Sequence, residues 1–107
     1  MTAEYPEYIG FDWDDGNRHK NKNLKHGVHG WECEQLFYNH PLIILDDAEH
    51  SAAERRYAAF GRTDAGRRLV VVYTMRKNRL RVISARDMNK KEKVFYENSE
   101  QEESAGV

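Results

Sequence analysis

The sequence lacks the paired cysteines that stabilise small secreted proteins, and it lacks an apolar segment long enough to cross a membrane. Cys33 is its single cysteine, which excludes an internal disulfide. No apolar run approaches the roughly 20 residues that a membrane-spanning helix needs. Residues 1–6 carry neither a basic leader nor an apolar stretch, so we expect no secretory signal peptide. Together these absences predict a soluble protein of a reducing cytoplasm.

Length and composition allow one compact domain. The chain has 107 residues, of which 39% are hydrophobic and 33% are charged. A chain of this size can bury one core, and its core must come from a few compact apolar runs. We therefore expect a single domain over residues 1–107, ordered over 8–97. The acidic segment 98–107 is predicted to be a disordered tail.

Charge is distributed unevenly along the chain. The net charge is −1, yet residues 1–17 contain five acids and no Lys or Arg, and residues 97–107 contain four acids and no base. Between Arg55 and Lys93, thirteen basic residues stand against three acids, a local charge of +10. A concentrated basic block attracts phosphate through its local field, so we expect a polyanionic partner. A solvated strand surface would have the same composition.

Apolar periodicity and turn residues predict an α+β fold. We expect two N-terminal helices, a four-strand antiparallel meander plus an N-terminal strand, and a C-terminal helix, with the helices on one face of the sheet. The other, basic face is expected to stay open for a single-stranded substrate. The predicted elements are a strand at 8–13, a helix from Asp14 or Asp15 to Lys25, a helix from Val28 to Tyr38, strands at 42–45, 55–62, 68–75 and 79–85, and a helix capped by Asp87 that ends at Tyr96.

The apolar positions of the helices predict how they pack. Cys33, Leu36 and Phe37 follow the i, i+3, i+4 spacing of one helix face and are expected in the core, with Trp31 helping to cover it. In the last helix, Val94 and Phe95 are expected to pack inward.

A series of short motifs, in order, resembles one known family. They are Phe11-Asp12-Trp13-Asp14, Lys25-His26-Gly27-Val28, Asn39-His40-Pro41-Leu42, Glu54-Arg55-Arg56-Tyr57, Gly61-Arg62, Leu69-Val70-Val71-Val72-Tyr73 and Arg81-Val82-Ile83-Ser84-Ala85-Arg86, followed by Glu92, Tyr96 and Glu97. Each motif alone is weak, but the ordered set over about residues 9–97 resembles the BrnT family of toxins.

The resemblance implies a function and a partner. It implies a RelE-like fold and a ribonuclease that inhibits translation and growth. Because the arginines can supply the charge that a metal would bring, we expect the reaction to need no metal or other cofactor. It also implies neutralisation by a BrnA-type antitoxin that has a ribbon-helix-helix DNA-binding half. Operator DNA would then be bound only through the antitoxin, and a higher-order toxin–antitoxin oligomer is possible.

Two arginines in strands are the first candidates for the site. Attack of the RNA 2′-hydroxyl on the adjacent phosphate builds negative charge on the oxygens of the phosphorane, and the planar fork of arginine suits that charge. Arg62 ends one predicted strand, and Arg81 lies inside another. Strand alternation places Arg81 on the face away from Val82 and Ser84, which are expected in the core. We therefore predict that Arg62 and Arg81 clamp the phosphate.

Arg86 is the third candidate, at the junction of the last strand and helix. The alternative is that Arg86 forms a structural ion pair with Glu92.

Proton transfer needs a general base and a general acid. Lys25 and His26 end the first predicted helix, and the ordinary pKa of histidine, near ~6.5, suits either role. A histidine at a helix end can instead cap the last carbonyl groups. Glu54 and Tyr73 are the other candidates, although Tyr73 continues the valine run and is therefore favoured as a core residue.

Two alternatives stay open. His26, His29 and Cys33, with His40 further on, have a spacing that resembles metal ligands, but no second cysteine pair or carboxylate pair supports them. The second alternative is a non-catalytic module on the same fold that binds nucleic acid or the antitoxin. An enzyme requires Arg62, Arg81 and a proton-transfer group to converge on one cleft, whereas arginines dispersed over the face favour a binding module.

Overall fold

The computed structural model describes residues 6–14, 17, 27–48 and 53–105. The elements, in chain order, are helix α1 (Gly30–Leu36), strands β1 (Ile43–Asp46), β2 (Arg56–Arg62), β3 (Arg68–Arg76) and β4 (Arg79–Asp87), and helix α2 (Lys90–Ala105). The predicted α+β class with a four-strand antiparallel sheet and a C-terminal helix is confirmed. The predicted first helix, up to Lys25, falls almost entirely outside the described residues. No helix among the described residues is long and apolar enough to span a membrane.

The sheet is the predicted meander, with strand order β1-β2-β3-β4 and antiparallel neighbours throughout. A two-residue turn joins β3 to β4, and both of its residues, Lys77 and Asn78, have positive φ, 52° and 63°. Two positive φ angles define the turn whose twist matches that of the strands it joins. Short hairpins such as this one fix the register, so the alternation of side chains between the two faces follows from the sequence.

Helix α1 packs against one face of the sheet. Cys33 and Leu36 are fully buried, as predicted. Gly61 of β2 lets the helix approach closely, because a β-carbon there would come within 2.9 Å of Leu36 Cγ. Trp31 is 59% exposed, so the prediction that it covers the core is wrong. The core on this face also contains Val28, Ile44, Ala59, Val71, Tyr73, Leu80 and Val82.

Helix α2 packs on the opposite face. Tyr96 is fully buried, and its hydroxyl donates a hydrogen bond to the Pro41 carbonyl at 2.5 Å. It forms a second apolar cluster with Phe60, Val70 and Met88. The prediction that the helices share one face is therefore wrong, because the sheet carries apolar side chains on both sides.

The cap of α2 also differs from the prediction. Asn89 Oδ1 accepts a hydrogen bond from the Glu92 N–H at 2.9 Å, and Glu92 Oε1 accepts one from the Asn89 N–H at 2.8 Å. This reciprocal capping box satisfies two N–H groups at the helix start. Asp87 ends β4 instead and forms an ion pair with Arg67 at 2.7 Å, so the predicted Asp87 cap is wrong.

Helix α2 is longer than predicted, and the side of the helix that faces the sheet differs from the predicted side. Val94 is 56% exposed, so its predicted inward packing is wrong. Phe95 is 42% exposed, but its ring packs edge-to-face against Phe60 of β2, with ring centroids 5.7 Å apart. The helix continues to Ala105 through most of the segment predicted to be a disordered tail. Its acidic residues have partners on the sheet: Glu97 and Glu100 lie 3.0 and 2.8 Å from the guanidinium of Arg68.

The predicted N-terminal strand at 8–13 is reduced to one parallel bridge, between Phe11 and Leu80. The Leu80 N–H donates to the Gly10 carbonyl, and the Asp12 N–H donates to the Leu80 carbonyl, each at 2.9 Å. This segment runs along the edge of β4 that does not pair with β3, and it brings Asp12 and Asp14 beside that strand.

Candidate active site

Strand alternation gathers seven arginines on the face of the sheet opposite α1. They lie at even positions of β2 and β3 and at matching positions of β4. We call this surface the arginine face; its arginines are Arg56, Arg62, Arg68, Arg76, Arg79, Arg81 and Arg86.

The acidic ends of the chain fold back onto this face. From the C-terminal side, Glu100 pairs with Arg68 at 2.8 Å and with Arg62 at 3.6 Å. From the N-terminal side, Asp14 pairs with Arg81 at 2.8 Å. The charge separation along the sequence is therefore partly cancelled in space, and a phosphate that binds here must compete with carboxylates.

One end of the arginine face forms a small cleft of about 160 Å³, the arginine cleft. Thr74 of β3 is the register partner of both Arg56 on β2 and Arg81 on β4, so the backbones of these two arginines lie about 10 Å apart, two strand spacings. The residues that line the cleft are Asn17, Glu54, Arg56, Arg76, Arg81, Val82 and Ile83.

Arg81 is held in place by the N-terminal segment. Its two terminal nitrogens donate to the two carboxylate oxygens of Asp14 at 2.8 and 3.0 Å, and Asp12 lies at 3.5 Å. Asn17 fixes Asp14 in turn, because its side-chain oxygen accepts the Asp14 N–H at 2.8 Å. The Asn17 amide also donates to the Val82 carbonyl at 3.1 Å, which ties the segment to β4. Hydrogen bonding to Asp14 raises the pKa of Arg81 further above its ordinary value.

Glu54 is the carboxylate of the cleft. It accepts two hydrogen bonds from Arg76, at 2.8 and 3.1 Å. These bonds lower the pKa of Glu54 below its ordinary value, with further help from the charges of Arg56 and Arg81. Glu54 is therefore ionised at neutral pH and able to accept a proton or a hydroxyl hydrogen bond.

An apolar groove of about 390 Å³ adjoins the arginine cleft and shares Arg56 and Ile83 with it. The floor of the groove consists of Ala58, Phe60, Val70, Val72 and Ile83. Its polar rim consists of Asp47, Arg56, Ser84, Arg86 and Glu92.

A β-bulge shapes the junction of cleft and groove. The register shifts between Val72 and Tyr73, so that Val72 faces Ser84 and Tyr73 faces Val82. The extra residue, Ile83, and the exposed Ser84 both line the groove. The prediction that Ser84 lies in the core is therefore wrong, and Ala85 takes that position with 4% exposure.

Arg86 and Glu92 form the ion pair that the sequence offered as an alternative to a site role. Arg86 donates to both carboxylate oxygens of Glu92, at 2.7 and 2.9 Å. The pair lies on the rim of the groove, so Arg86 borders the site while being held by Glu92.

Arg62 lies far from Arg81. In the register, Arg62 of β2 faces Arg68, at the end of β3 remote from Thr74. Arg62 lies six positions after Arg56, which corresponds to about 20 Å along an extended strand. The predicted pair of Arg62 and Arg81 does not converge on one cleft; Arg56 stands beside Arg81 instead.

The remaining predicted site residues fall in two places. Tyr73 is 1% exposed and packs in the core on the α1 side, where its ring stacks on Tyr57 at 5.3 Å. It belongs to the core, which the sequence favoured. Lys25 and His26 lie outside the described residues.

The residues considered as metal ligands do not form a cluster in the part of the chain that the structure describes. Cys33 is fully buried, and burial raises the pKa of its thiol to about 12. His29 is exposed and stacks on Trp31, with ring centroids 5.7 Å apart.

Sequence reasoning missed Arg56 and Asn17. Arg56 shares the alternation of Ala58, Phe60 and Arg62, so the same pattern that selected Arg62 could have identified it. No local signal marks Asn17, because its role depends on contact with Val82, which is 65 positions away.

A family model described as "Ribonuclease toxin, BrnT, of type II toxin-antitoxin system" matches residues 13–92, about three quarters of the chain. The match includes every residue that lines the arginine cleft and ends in the first turn of α2. No curated protein matches the chain.

Proposed function

The chain belongs to the BrnT family of ribonuclease toxins of type II toxin–antitoxin systems, and we propose that it cleaves RNA in the arginine cleft without a metal ion. The observation that carries this proposal is the convergence of Arg56, Arg76 and Arg81 around the carboxylate of Glu54. Guanidinium groups bind phosphate oxygens through paired hydrogen bonds, and a phosphodiester in the cleft would be within reach of three of them.

The chemistry is an internal transfer of the phosphodiester. The 2′-hydroxyl oxygen attacks the adjacent phosphorus, so that a 2′-O–P bond forms and the P–O5′ bond breaks. A base takes the proton of the 2′-hydroxyl, and an acid supplies a proton to the leaving 5′-oxygen. The products are a 2′,3′-cyclic phosphate and a 5′-hydroxyl. The arginines stabilise the extra negative charge on the phosphorane oxygens, which is the task that a metal performs in other nucleases.

Glu54 is the general base that the cleft offers. Its ionised carboxylate lies among the arginines that would bind the phosphate, and Arg76 fixes its orientation. A lowered pKa makes Glu54 a weak base, so its contribution depends on position more than on basicity. His26 stays the second candidate and would also serve as the acid, since a histidine changes charge near neutral pH.

Substrate binding would exchange one anion for another at Arg81. Asp14 occupies two guanidinium nitrogens as a phosphate would. A phosphodiester that enters the cleft would share or displace this carboxylate, and Asn17 would keep the displaced segment close to β4.

A type II toxin has an antitoxin partner, and we propose that this partner is of the BrnA type. It would cover the arginine face in the stored complex and bury Arg62, Arg81 or both, so that RNA has no access. Operator DNA would be bound through the antitoxin, with the toxin contributing mass to a larger complex.

The competing function is a binding module without catalysis. The observation in its favour is that Arg62 lies about 20 Å along β2 from Arg56, the β2 residue at the same register position as Arg81. Such a module would retain RNA on the arginine face and leave every phosphodiester intact.

Cleavage of a labelled RNA oligomer by the purified chain in excess chelator separates these functions. We expect cleavage, products that end in a 2′,3′-cyclic phosphate, and no cleavage at a 2′-deoxy nucleotide. Arg81→Ala should slow cleavage at least about 100-fold. Arg55→Ala is the matched control, because Arg55 pairs with Asp46 away from the arginine face. Binding without cleavage would support the module, and loss of activity in chelator that one metal restores would support metal catalysis.

A further inference from the structure

The apolar groove lies where the chain of a bound RNA would continue from the arginine cleft. Cleft and groove share Arg56 and Ile83, so they form one continuous depression on the arginine face. If a phosphate lies at Arg81, the nucleoside on one side of it can pass over Ile83 into the groove.

The lining of the groove is suited to one face of a nucleobase. Ala58, Val72 and Ile83 are only partly buried, so aliphatic surface is open to solvent between charged rims. Unpaired bases bury a flat, apolar face and keep polar groups at their edge. The volume of about 390 Å³ lies within the ~300–1,000 Å³ range of small-molecule sites.

The rim supplies partners for the edge of a base. Arg86 and Arg56 carry donors for carbonyl oxygens and ring nitrogens, and Asp47 and Glu92 carry acceptors for amino groups. Ser84 can donate or accept. A duplex hides its base faces in the stack and would offer this groove only its backbone.

We propose that the apolar groove binds the base of one unpaired nucleotide next to the scissile phosphate. This inference rests on the proposed ribonuclease function. It makes the chain a ribonuclease for single-stranded RNA, in which the base in the groove sets the position of the phosphate in the arginine cleft.

The test uses RNA oligomers in which one nucleotide beside the cleavage site lacks its base and keeps its 2′-hydroxyl. With the wild-type chain, removal of one particular base should lower kcat/KM about 5- to 150-fold, the range for loss of one stacked base. Removal of bases further away should have little effect.

A groove-filling substitution provides the second arm. Ala58 lies on the floor between Arg56 and Phe60, so Ala58→Phe should fill the groove and lower kcat/KM for the intact oligomer by a similar factor. On the abasic oligomer this variant should show no further loss. Val94→Phe adds the same ring on the exposed side of α2 and should behave as wild type. If Ala58→Phe does not fold by circular dichroism, Ser84→Leu fills the groove from its exposed rim.

Equal cleavage of every abasic oligomer, or full activity of the filled variants, would overturn the inference and leave the ribonuclease function standing. Filled variants that cleave RNA normally but no longer bind the antitoxin would assign the groove to the antitoxin and also overturn it. Failure of the proposed function itself would be distinct, since the wild-type chain would then cleave no oligomer at all.

Discussion

Asp14 and Arg81, which are 67 positions apart in the chain, form an ion pair with two hydrogen bonds. The two terminal nitrogens of Arg81 donate to the two carboxylate oxygens of Asp14, at 2.8 and 3.0 Å. The pair joins the first motif of the sequence to the last strand and places one wall of the arginine cleft. It also shows that Arg81, which has no acidic residue within five positions in the sequence, acquires an acidic partner through the fold.

Arg81→Ala should relieve growth inhibition. The substitution removes the guanidinium that would bind the phosphate, while the surrounding strand keeps its buried neighbours Leu80 and Val82. Expression of wild type, Arg81→Ala and the control Arg55→Ala in a host without the antitoxin is the measurement. Only Arg81→Ala should restore growth at equal soluble protein. Undiminished toxicity of a folded Arg81→Ala would remove Arg81 from the site.

Asp14→Asn should strengthen RNA binding. The amide keeps the size of the side chain and removes the charge that competes with phosphate at Arg81. One unit charge at about 4 Å in water corresponds to ~1 kcal/mol, or about a fivefold lower Kd at low salt. Asp46→Asn, beside Arg55, is the control and should change the Kd little. Weaker binding by Asp14→Asn would mean that Asp14 serves mainly to position Arg81.

Glu92→Gln should destabilise the chain in a pH-dependent way. The hydrogen bond from Arg86 lowers the pKa of Glu92 below its unfolded value, so the ionised form stabilises the fold above that value, near ~4.3. This contribution is lost as the pH falls through the folded pKa. Denaturant unfolding should show a loss of about 0.5–1 kcal/mol at pH 7 that shrinks below pH ~4. The exposed Glu102→Gln is the control, and a loss independent of pH would contradict the role of the ion pair.

Salt should distinguish RNA binding from antitoxin binding, both of which we propose to occur at the arginine face. RNA binding should weaken steeply with salt, because each neutralised phosphate releases counterions. The complex with the antitoxin should weaken much less if its interface has a large apolar core. Both affinities are measured across one salt series. An antitoxin complex as salt-sensitive as RNA binding would indicate capture by charge alone.

The sheet was predictable because its signals are local. The Lys77-Asn78 turn fixes one hairpin, and alternating apolar residues mark the strands. The bulge was not predictable. Strict alternation along β4 puts the apolar Ile83 on the same face as Arg81, and one extra residue there leaves no other mark in the sequence. That single residue changes the face of Ser84 and shapes the groove.

The long-range ion pairs could not be predicted from the sequence either. The segment after Tyr96 has low hydropathy and predicts disorder, yet its glutamates become part of a helix because Arg62 and Arg68 lie under them. The sequence likewise does not say which side of the sheet a helix covers. Burial of Tyr96 against Phe60 and Val70 decides it.

We propose that the site lies in the arginine cleft with Arg56, and not at the far end of the sheet with Arg62. Single-turnover cleavage of one RNA oligomer by Arg56→Ala and Arg62→Ala tests it most directly, since both substitutions remove an arginine from the same face of the same strand. We predict that Arg56→Ala slows the cleavage step at least about 100-fold, the usual effect of losing one group that stabilises the transition state. Arg62→Ala should stay close to the wild-type rate. A normal rate for Arg56→Ala together with an inactive, folded Arg62→Ala would contradict the account and move the site to the end of β2 beneath Glu100.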